Sequence, residues 1–313
     1  MTFIVDRDID FARYMAATDH DHRVVSAEAF AEEVRAFFHD PHIPRGALTP
    51  WAKVGNNLRF RPSEVTIWGG VNGHGKSLLL GMVATSIAAQ GEPVCIASME
   101  MLPRSTLSRM CRQASQVAKP SPEFIKHFHE TLAGNLFVYD HVGATRPDKL
   151  LAVIRFAATE RGIKHFVVDS LMKCGLDDED YRAEKRFIGD LCTVARDHGI
   201  HIHLVCHSRK GRDEDTAPNK MDIKGSGAIV DQVDNLVIVW RNKRKEFAQQ
   251  QGDHARRDEP DVLMIVEKQR HHEWEGRISL WFDPASLQYL GHASASPIPL
   301  LTPPRQQGNS NAL

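Results

Sequence analysis

The chain has 313 residues, 42% hydrophobic and 25% charged, with 39 basic against 40 acidic side chains. That balance belongs to a soluble globular chain with a sizeable core and excludes collagen-like, fibrous and wholly disordered classes. Near-zero net charge gives no bulk attraction to a polyanion, so any nucleic-acid contact must come from local basic loops. No unbroken apolar run reaches the roughly 18–20 residues of a bilayer span. Asp6, Arg7, Asp8 and Asp10 stand where a signal peptide would be apolar. The expected setting is the cytoplasm, with no membrane contact. Cys95, Cys111, Cys174, Cys192 and Cys206 are scattered and never form a CxxC pair, the pattern of reduced, buried thiols.

In chain order, residues 23–39 place Ala29, Phe30, Val34, Phe37 and Phe38 at helical spacing behind a Ser26 N-cap. Pro41, Pro44 and Gly46 then break the pattern, so 1–43 reads as an N-terminal helical and linker segment. From residue 65, short apolar runs alternate with helical patterns. The strand candidates are 65–69, 93–98, 136–139, 165–169, 202–206, 235–240 and 262–266, with a terminal hairpin over 278–283 and 287–290. Near-continuous apolar strands separated by helices predict an α/β domain over 44–292, built on a mostly parallel, twisted sheet covered on both faces. Residues 293–313, rich in Pro, Ser, Gln and Asn, read as a disordered tail.

Directly after the 65–69 strand comes GVNGHGKS, residues 70–77, which satisfies GxxxxGK[ST] and leads into an apolar helix. Gly70, Val71, Asn72, Gly73, His74, Gly75, Lys76, Ser77 and Leu78 are therefore the expected nucleotide-binding residues. The glycines let backbone N–H groups turn inward around phosphate oxygens, and the helix N-terminus adds positive potential. Lys76 would neutralise the β- and γ-phosphates, and Ser77 would face Mg²⁺. The expected ligands are ATP, or another nucleoside triphosphate, and Mg²⁺. A dinucleotide site would need GxGxxG, and Gly73–His74–Gly75 does not continue that way.

Asp169 ends a buried strand, where a carboxylate meets Mg²⁺ through water. Glu100 ends the strand that follows the phosphate-loop helix and is the candidate base for the attacking water; a solvated strand-end carboxylate is the plainer alternative. His207 ends the next core strand, in reach of a γ-phosphate or simply at the surface. Lys268 and Arg270 sit at alternate positions of a strand end, a pattern that by itself is usually solvated charge.

Together GVNGHGKS, SMEM (98–101), HFVVDS (165–170), LVCHSRK (204–210), KGSGAIVDQVDN (224–235) and EKQR (267–270) occur in the order and approximate spacing of DnaB-type replicative hexameric helicases. From about residue 44 to 292 the chain resembles the helicase half of phage primase-helicases and of Twinkle. The resemblance implies a RecA-like core in a homo-oligomeric ring, a hexamer foremost, with ATP at subunit boundaries. It implies Lys76, Ser77, Glu100 and Asp169 acting in cis, His207 as phosphate sensor, and Lys268 and Arg270 arriving from a neighbour. It assigns single-stranded DNA to loops 171–184 and 208–224, with Arg209, Lys210, Arg212 and Lys224 on the phosphates. Arg104 and Gln232 are carried over as residues near the nucleotide. Single-stranded and forked duplex DNA are the implied substrates, and primase, polymerase or loader the implied partners.

The sequence also departs from that family. No cysteine set could build a zinc-binding primase module, and the first 40 residues are shorter than DnaB's helical collar. The 26–39 helix could instead be the linker helix that packs on a neighbouring subunit. The acidic run Asp177, Asp178, Glu179, Asp180 would repel phosphates. The competing readings are a RecA-like strand-exchange protein, which needs further domains, and a KaiC-like regulatory ATPase, which needs no basic loop at 209–212.

Overall fold

The computed structural model describes residues 3–16, 26–40, 45–176, 180–208, 216–223 and 227–302. The elements run β1 (Phe3–Ile4), α1 (Phe11–Met15), α2 (Ala31–His39), β2 (Ala47–Leu48), β3 (Arg59–Phe60), β4 (Val65–Gly69), α3 (Lys76–Ala89), β5 (Val94–Ser98), α4 (Pro103–Ser115), α5 (Pro122–Thr131) and β6 (Leu136–Tyr139). They continue α6 (Pro147–Arg161), β7 (His165–Asp169), α7 (Tyr181–His198), β8 (His201–Val205), α8 (Gly227–Gln232), β9 (Asn235–Arg241), α9 (Lys243–Gln250), β10 (Val262–Gln269), β11 (Gly276–Asp283) and β12 (Gln288–Leu290).

A ten-stranded sheet in the order β1-β6-β5-β7-β8-β4-β9-β10-β11-β12 forms the core. Strands from β1 to β9 along this order pair in parallel, and β10, β11 and β12 close the far edge antiparallel. Period-two alternation sends side chains to opposite faces. Leu236 and Ile238 pack with α6, α7 and α8, whereas Val237 and Val239 pack with α3, α4 and α5. This is the mostly parallel, doubly covered sheet that the apolar runs require. Helix boundaries follow local chemistry: Pro103, Pro122 and Pro147 open α4, α5 and α6, and left-handed Gly162 and Gly199 end α6 and α7. Among the described residues, no helix is long and apolar enough to cross a membrane, and all five cysteines are buried and unpaired.

Residues 3–16 and 293–302 depart from expectation, and residues 303–313 of the expected tail lie outside the described residues. The first residues form β1, which pairs with β6, and α1, which lies on α6. Tyr139 Oη donates to Asp6 Oδ1 at 2.7 Å and Tyr14 Oη to Glu160 Oε1 at 2.5 Å. A two-residue strand has no periodicity to detect, so tertiary pairing supplies what the sequence pattern lacks. The tail expected to be disordered from 293 is instead held as far as 302. Leu300 and Leu301 are buried in the α3–α5 face, and the Gln288 side chain bonds both the N–H and the C=O of Ile298. Proline-rich composition concealed two core leucines.

Ser26 does cap the segment before α2, accepting from the Glu28 N–H, although its first turn is 3₁₀. Phe30, Val34, Phe37 and Phe38 on this segment are all exposed.

Candidate nucleotide site

Consecutive sheet positions β5, β7, β8 and β4 end side by side, and each delivers one functional group to the same edge. Glu100 follows β5, Asp169 ends β7, His207 follows β8, and the phosphate loop follows β4. In an open parallel sheet this carboxyl edge is where a ligand crevice forms. Here a cleft of about 460 Å³ is lined by Gly73, Lys76, Ser77, Glu100, Asp169 and His207.

The loop is shaped by its glycines. Gly70, Gly73 and Gly75 all have positive φ. A Cβ on Gly70 would come 2.3 Å from the Val239 carbonyl oxygen, and one on Gly75 would come 2.2 Å from the Tyr289 hydroxyl. Lys76 is buried, and its Nζ donates to the Gly70 and Val71 carbonyls at 2.9 and 3.0 Å and to His207 Nδ1 at 3.3 Å. Burial lowers its pKa to about 8, with Asp169 and Glu100 opposing the shift. Burial raises the Asp169 pKa, and a hydrogen bond from Ser77 partly offsets it.

Glu100 is held from both sides: Ser170 Oγ donates to its Oε1 at 2.9 Å, and His207 Nε2 stands 4.0 Å from that same oxygen. A carboxylate, an imidazole and an ammonium therefore form one chain across the cleft. The oxygen donor set suits a hard divalent cation. Ser77 and Asp169 also border a small cavity with Ser98 and Thr106, whose buried hydroxyl oxygens have no hydrogen-bond partner among the described residues. A cation held by Ser77 and Asp169 would face the open cleft that they share with Lys76 and Glu100.

Lys268 and Arg270 do not join this cleft. Because β10 runs antiparallel to β9, its end lies at the opposite edge, where the Arg270 N–H donates to the Asp234 carbonyl and the Asp234 N–H to that of Val65. Arg270 Nε pairs with Asp234 Oδ1 at 3.2 Å, and both side chains donate to carbonyls at the end of α8, where cations are favoured. Gln232 lies at this edge too, its carbonyl accepting from Arg270.

Arg104 also stands elsewhere, in a cleft of about 580 Å³ between α4 and α5 with Leu107, Cys111, Ile125 and His129. The arginine on α4 that does border the nucleotide cleft is Arg109. Helical periodicity through α4 would have separated the two faces. Also missed from sequence were Ser170 as the group holding Glu100, and a second cleft of about 350 Å³ beside Gly75 and Leu78, lined by Arg241, Lys245, Glu246 and Tyr289.

Arg209, Lys210, Arg212 and Lys224, with Asp177, Asp178 and Glu179, lie outside the described residues. Asp180, the last of that acidic run, is the N-cap of α7 and accepts from Arg182 N and Ala183 N. Its negative charge has a structural use.

Comparison with known proteins agrees with this geometry. The chain is 26% identical over 220 residues to the DNA helicase/primase of Enterobacteria phage T3, covering 63% of this chain and 37% of that protein. It is 23% identical over 242 residues to the Twinkle homolog protein, chloroplastic/mitochondrial, of Arabidopsis thaliana, covering 70% and 34%. The matches thus span about a third of each relative. Among solved structures, one described as an ATPase domain superposes with a TM-score of 0.71 at 14% identity, covering 86% of this chain and 99% of that one. A DnaB-like replicative helicase, solved in a study of its interactions with primase, also gives 0.71 at 14% identity, covering 85% and 68%. The profile of the DnaB-like helicase C terminal domain matches residues 56–290, three-quarters of the chain, and the chain belongs to that family.

Proposed function

We propose that this chain is the ATPase motor of a ring-forming DNA helicase, moving on single-stranded DNA and separating forked duplex DNA during replication. The observation that carries the reading is the division of the sheet: phosphate loop, Asp169, Glu100 and His207 share one edge, while Lys268 and Arg270 stand at the other. A site whose cation lies on the far side of its own chain is completed by the far side of a neighbour.

In this reading the loop's N–H groups and Lys76 bind the triphosphate, the ammonium exchanging the Gly70 and Val71 carbonyls for phosphate oxygens. Ser77 and Asp169 would hold Mg²⁺, Asp169 through water, and the ion would neutralise phosphate charge. Glu100 accepts a hydrogen bond from the attacking water. As the water oxygen bonds to the γ-phosphorus, the bond to the β–γ bridging oxygen breaks and ADP leaves; the water's proton passes towards Glu100. His207, between Lys76 and Glu100, registers loss of the γ-phosphate. Arg270 from the adjacent subunit stabilises the transferring phosphoryl group. Arg209, Lys210, Arg212 and Lys224 hold the DNA backbone, and the exposed apolar side of α2 packs on a neighbour to keep the ring closed. Primase, polymerase or a loader would act through other surfaces, and the bacterial cytoplasm is the setting for a phage-encoded chain.

The test is unwinding of a forked duplex with ATP and Mg²⁺, with Glu100→Gln alongside and oligomer mass measured on the same sample. Strand separation by the wild type alone supports the motor. Assembled rings that hydrolyse ATP without opening DNA, and without stimulation by it, would favour a regulatory ATPase.

A further inference from the structure

The imidazole of His74 is 1% exposed, inside a loop that otherwise works through its backbone. Its Nδ1 accepts the backbone N–H of Arg241, the last residue of β9, at 3.1 Å. The proton therefore sits on Nε2, which is buried and has no hydrogen-bond partner among the described residues. An apolar side chain of similar volume would fill the space without an unpaired donor, so the imidazole is accounted for by the acceptor it offers. Burial, reinforced by Lys243, Lys76 and Arg241, lowers its pKa to about 4, which keeps Nδ1 available.

The bond is one of two contacts between the loop and alternate residues of β9. Gly70 lies flat against the Val239 carbonyl, and His74 grips the Arg241 N–H. From Arg241 the chain turns through Asn242 into α9, whose Lys245, Glu246 and Gln249 line the cleft beside Gly75 and Leu78. That cleft adjoins the phosphate cradle, on the side away from Glu100, Asp169 and His207. A part of the nucleotide that extends past the phosphates along α3 would enter it.

We propose that His74 is a positioning residue for nucleotide binding: its Nδ1 staples the phosphate loop to the end of β9 and fixes the spacing between the phosphate cradle and the α9-lined cleft. The proposal rests on reading that loop as the triphosphate site. The staple acts on the binding side and leaves the hydrolytic groups on β5, β7 and β8 untouched, so its loss raises KM for ATP with little change in kcat.

Two substitutions separate the ring nitrogens. In His74→Asn the amide oxygen can stand where Nδ1 stood, whereas His74→Gln offers a polar group only near the Nε2 position. The measurements are KM and kcat for ATP hydrolysis, Kd for a fluorescent ADP, and Tm of each protein without nucleotide. The expected result is His74→Asn within about twofold of wild type, and His74→Gln with KM and Kd raised roughly tenfold, kcat within about twofold and a Tm lowered by no more than a few degrees. Equal effects of the two variants, or a loss in kcat alone, overturn the staple while leaving the triphosphate site standing. Absence of nucleotide binding by the wild type overturns that underlying reading and the staple with it.

Discussion

The two ends of the parallel strands both bury polar and titratable groups, yet they do so in opposite ways. At the amino-terminal end, His165, His201 and His203 lie in the core with Thr66, Trp68 and Asn235. Trp68 Nε1 donates to His203 Nδ1 at 3.2 Å, so His203 carries its proton on Nε2 and donates to His165 Nδ1 at 3.3 Å. His201 Nδ1 donates to the Arg61 carbonyl at 2.6 Å while Thr66 Oγ1 donates to its Nε2 at 2.8 Å. Burial holds all three imidazoles neutral, and Asn235 Oδ1 has no partner among the described residues. At the carboxyl end, a buried ammonium and a buried carboxylate are only partly compensated, and the hydroxyls of Ser98 and Thr106 have no partner among the described residues. Burial of polar groups alone does not mark a site; a buried ammonium and a buried carboxylate facing one cleft do.

The largest test of this contrast is Lys76→Ala, which removes the buried ammonium at the cleft. ATP turnover, followed as phosphate release, should fall by at least about a hundredfold. Near-normal turnover would end the assignment of the cleft. Arg270→Ala comes next and acts from the opposite end: turnover should fall by about tenfold or more with nucleotide affinity retained. Arg270 also ties α8 to Asp234, so Tm belongs beside the rates. A Tm unchanged with turnover lost separates catalysis from folding.

The histidine end makes a prediction about acid. An unfolded histidine titrates near 6.5, whereas burial lowers His201 to about 4 and holds His165 and His203 well below 6.5. The stabilisation is complete above about pH 6.5 and declines as pH falls below it, with the unfolded chain taking up protons that the buried histidines do not. Denaturant titrations at pH 7, 6 and 5 read this slope directly, and His165→Leu should make it shallower. A slope unaltered by that change would place the acid sensitivity elsewhere. The smallest expected effect belongs to Lys76 itself. With a pKa of about 8 it loses charge as pH rises, so KM for ATP should rise above pH 8, and Lys76→Arg should flatten that limb.

The core strands were legible because buried parallel strands impose near-continuous apolar runs, and β4, β6 and β7 fall on the expected residues. The phosphate loop was legible because its glycines follow from backbone geometry that few other residues tolerate. Strand ends could be assigned to Asp169, Glu100 and His207, because a parallel sheet puts carboxyl ends on one edge. Which strands lie adjacent comes from the topology alone. So does the staple from His74 to Arg241, which joins residues 167 positions apart. Arg109 was hidden by Arg104, since a charge on an amphipathic helix says nothing of its cleft until two elements pack. β1 and the Leu300–Leu301 anchor were invisible because each apolar stretch is too short, and the second too rich in proline, to show a strand or helix period; what they meet stabilises them.

The central claim is that one chain's carboxyl edge is completed by another chain's amino edge. Lys76→Ala spoils the first and leaves the second intact; Arg270→Ala does the reverse. The direct measurement is ATP turnover of each variant alone and of the two co-assembled at equal concentration. The account predicts little activity from either alone and recovery on mixing, because some boundaries then join an intact phosphate loop to an intact Arg270. Mixtures no more active than the separate variants, in rings shown by mass to contain both chains, would contradict it.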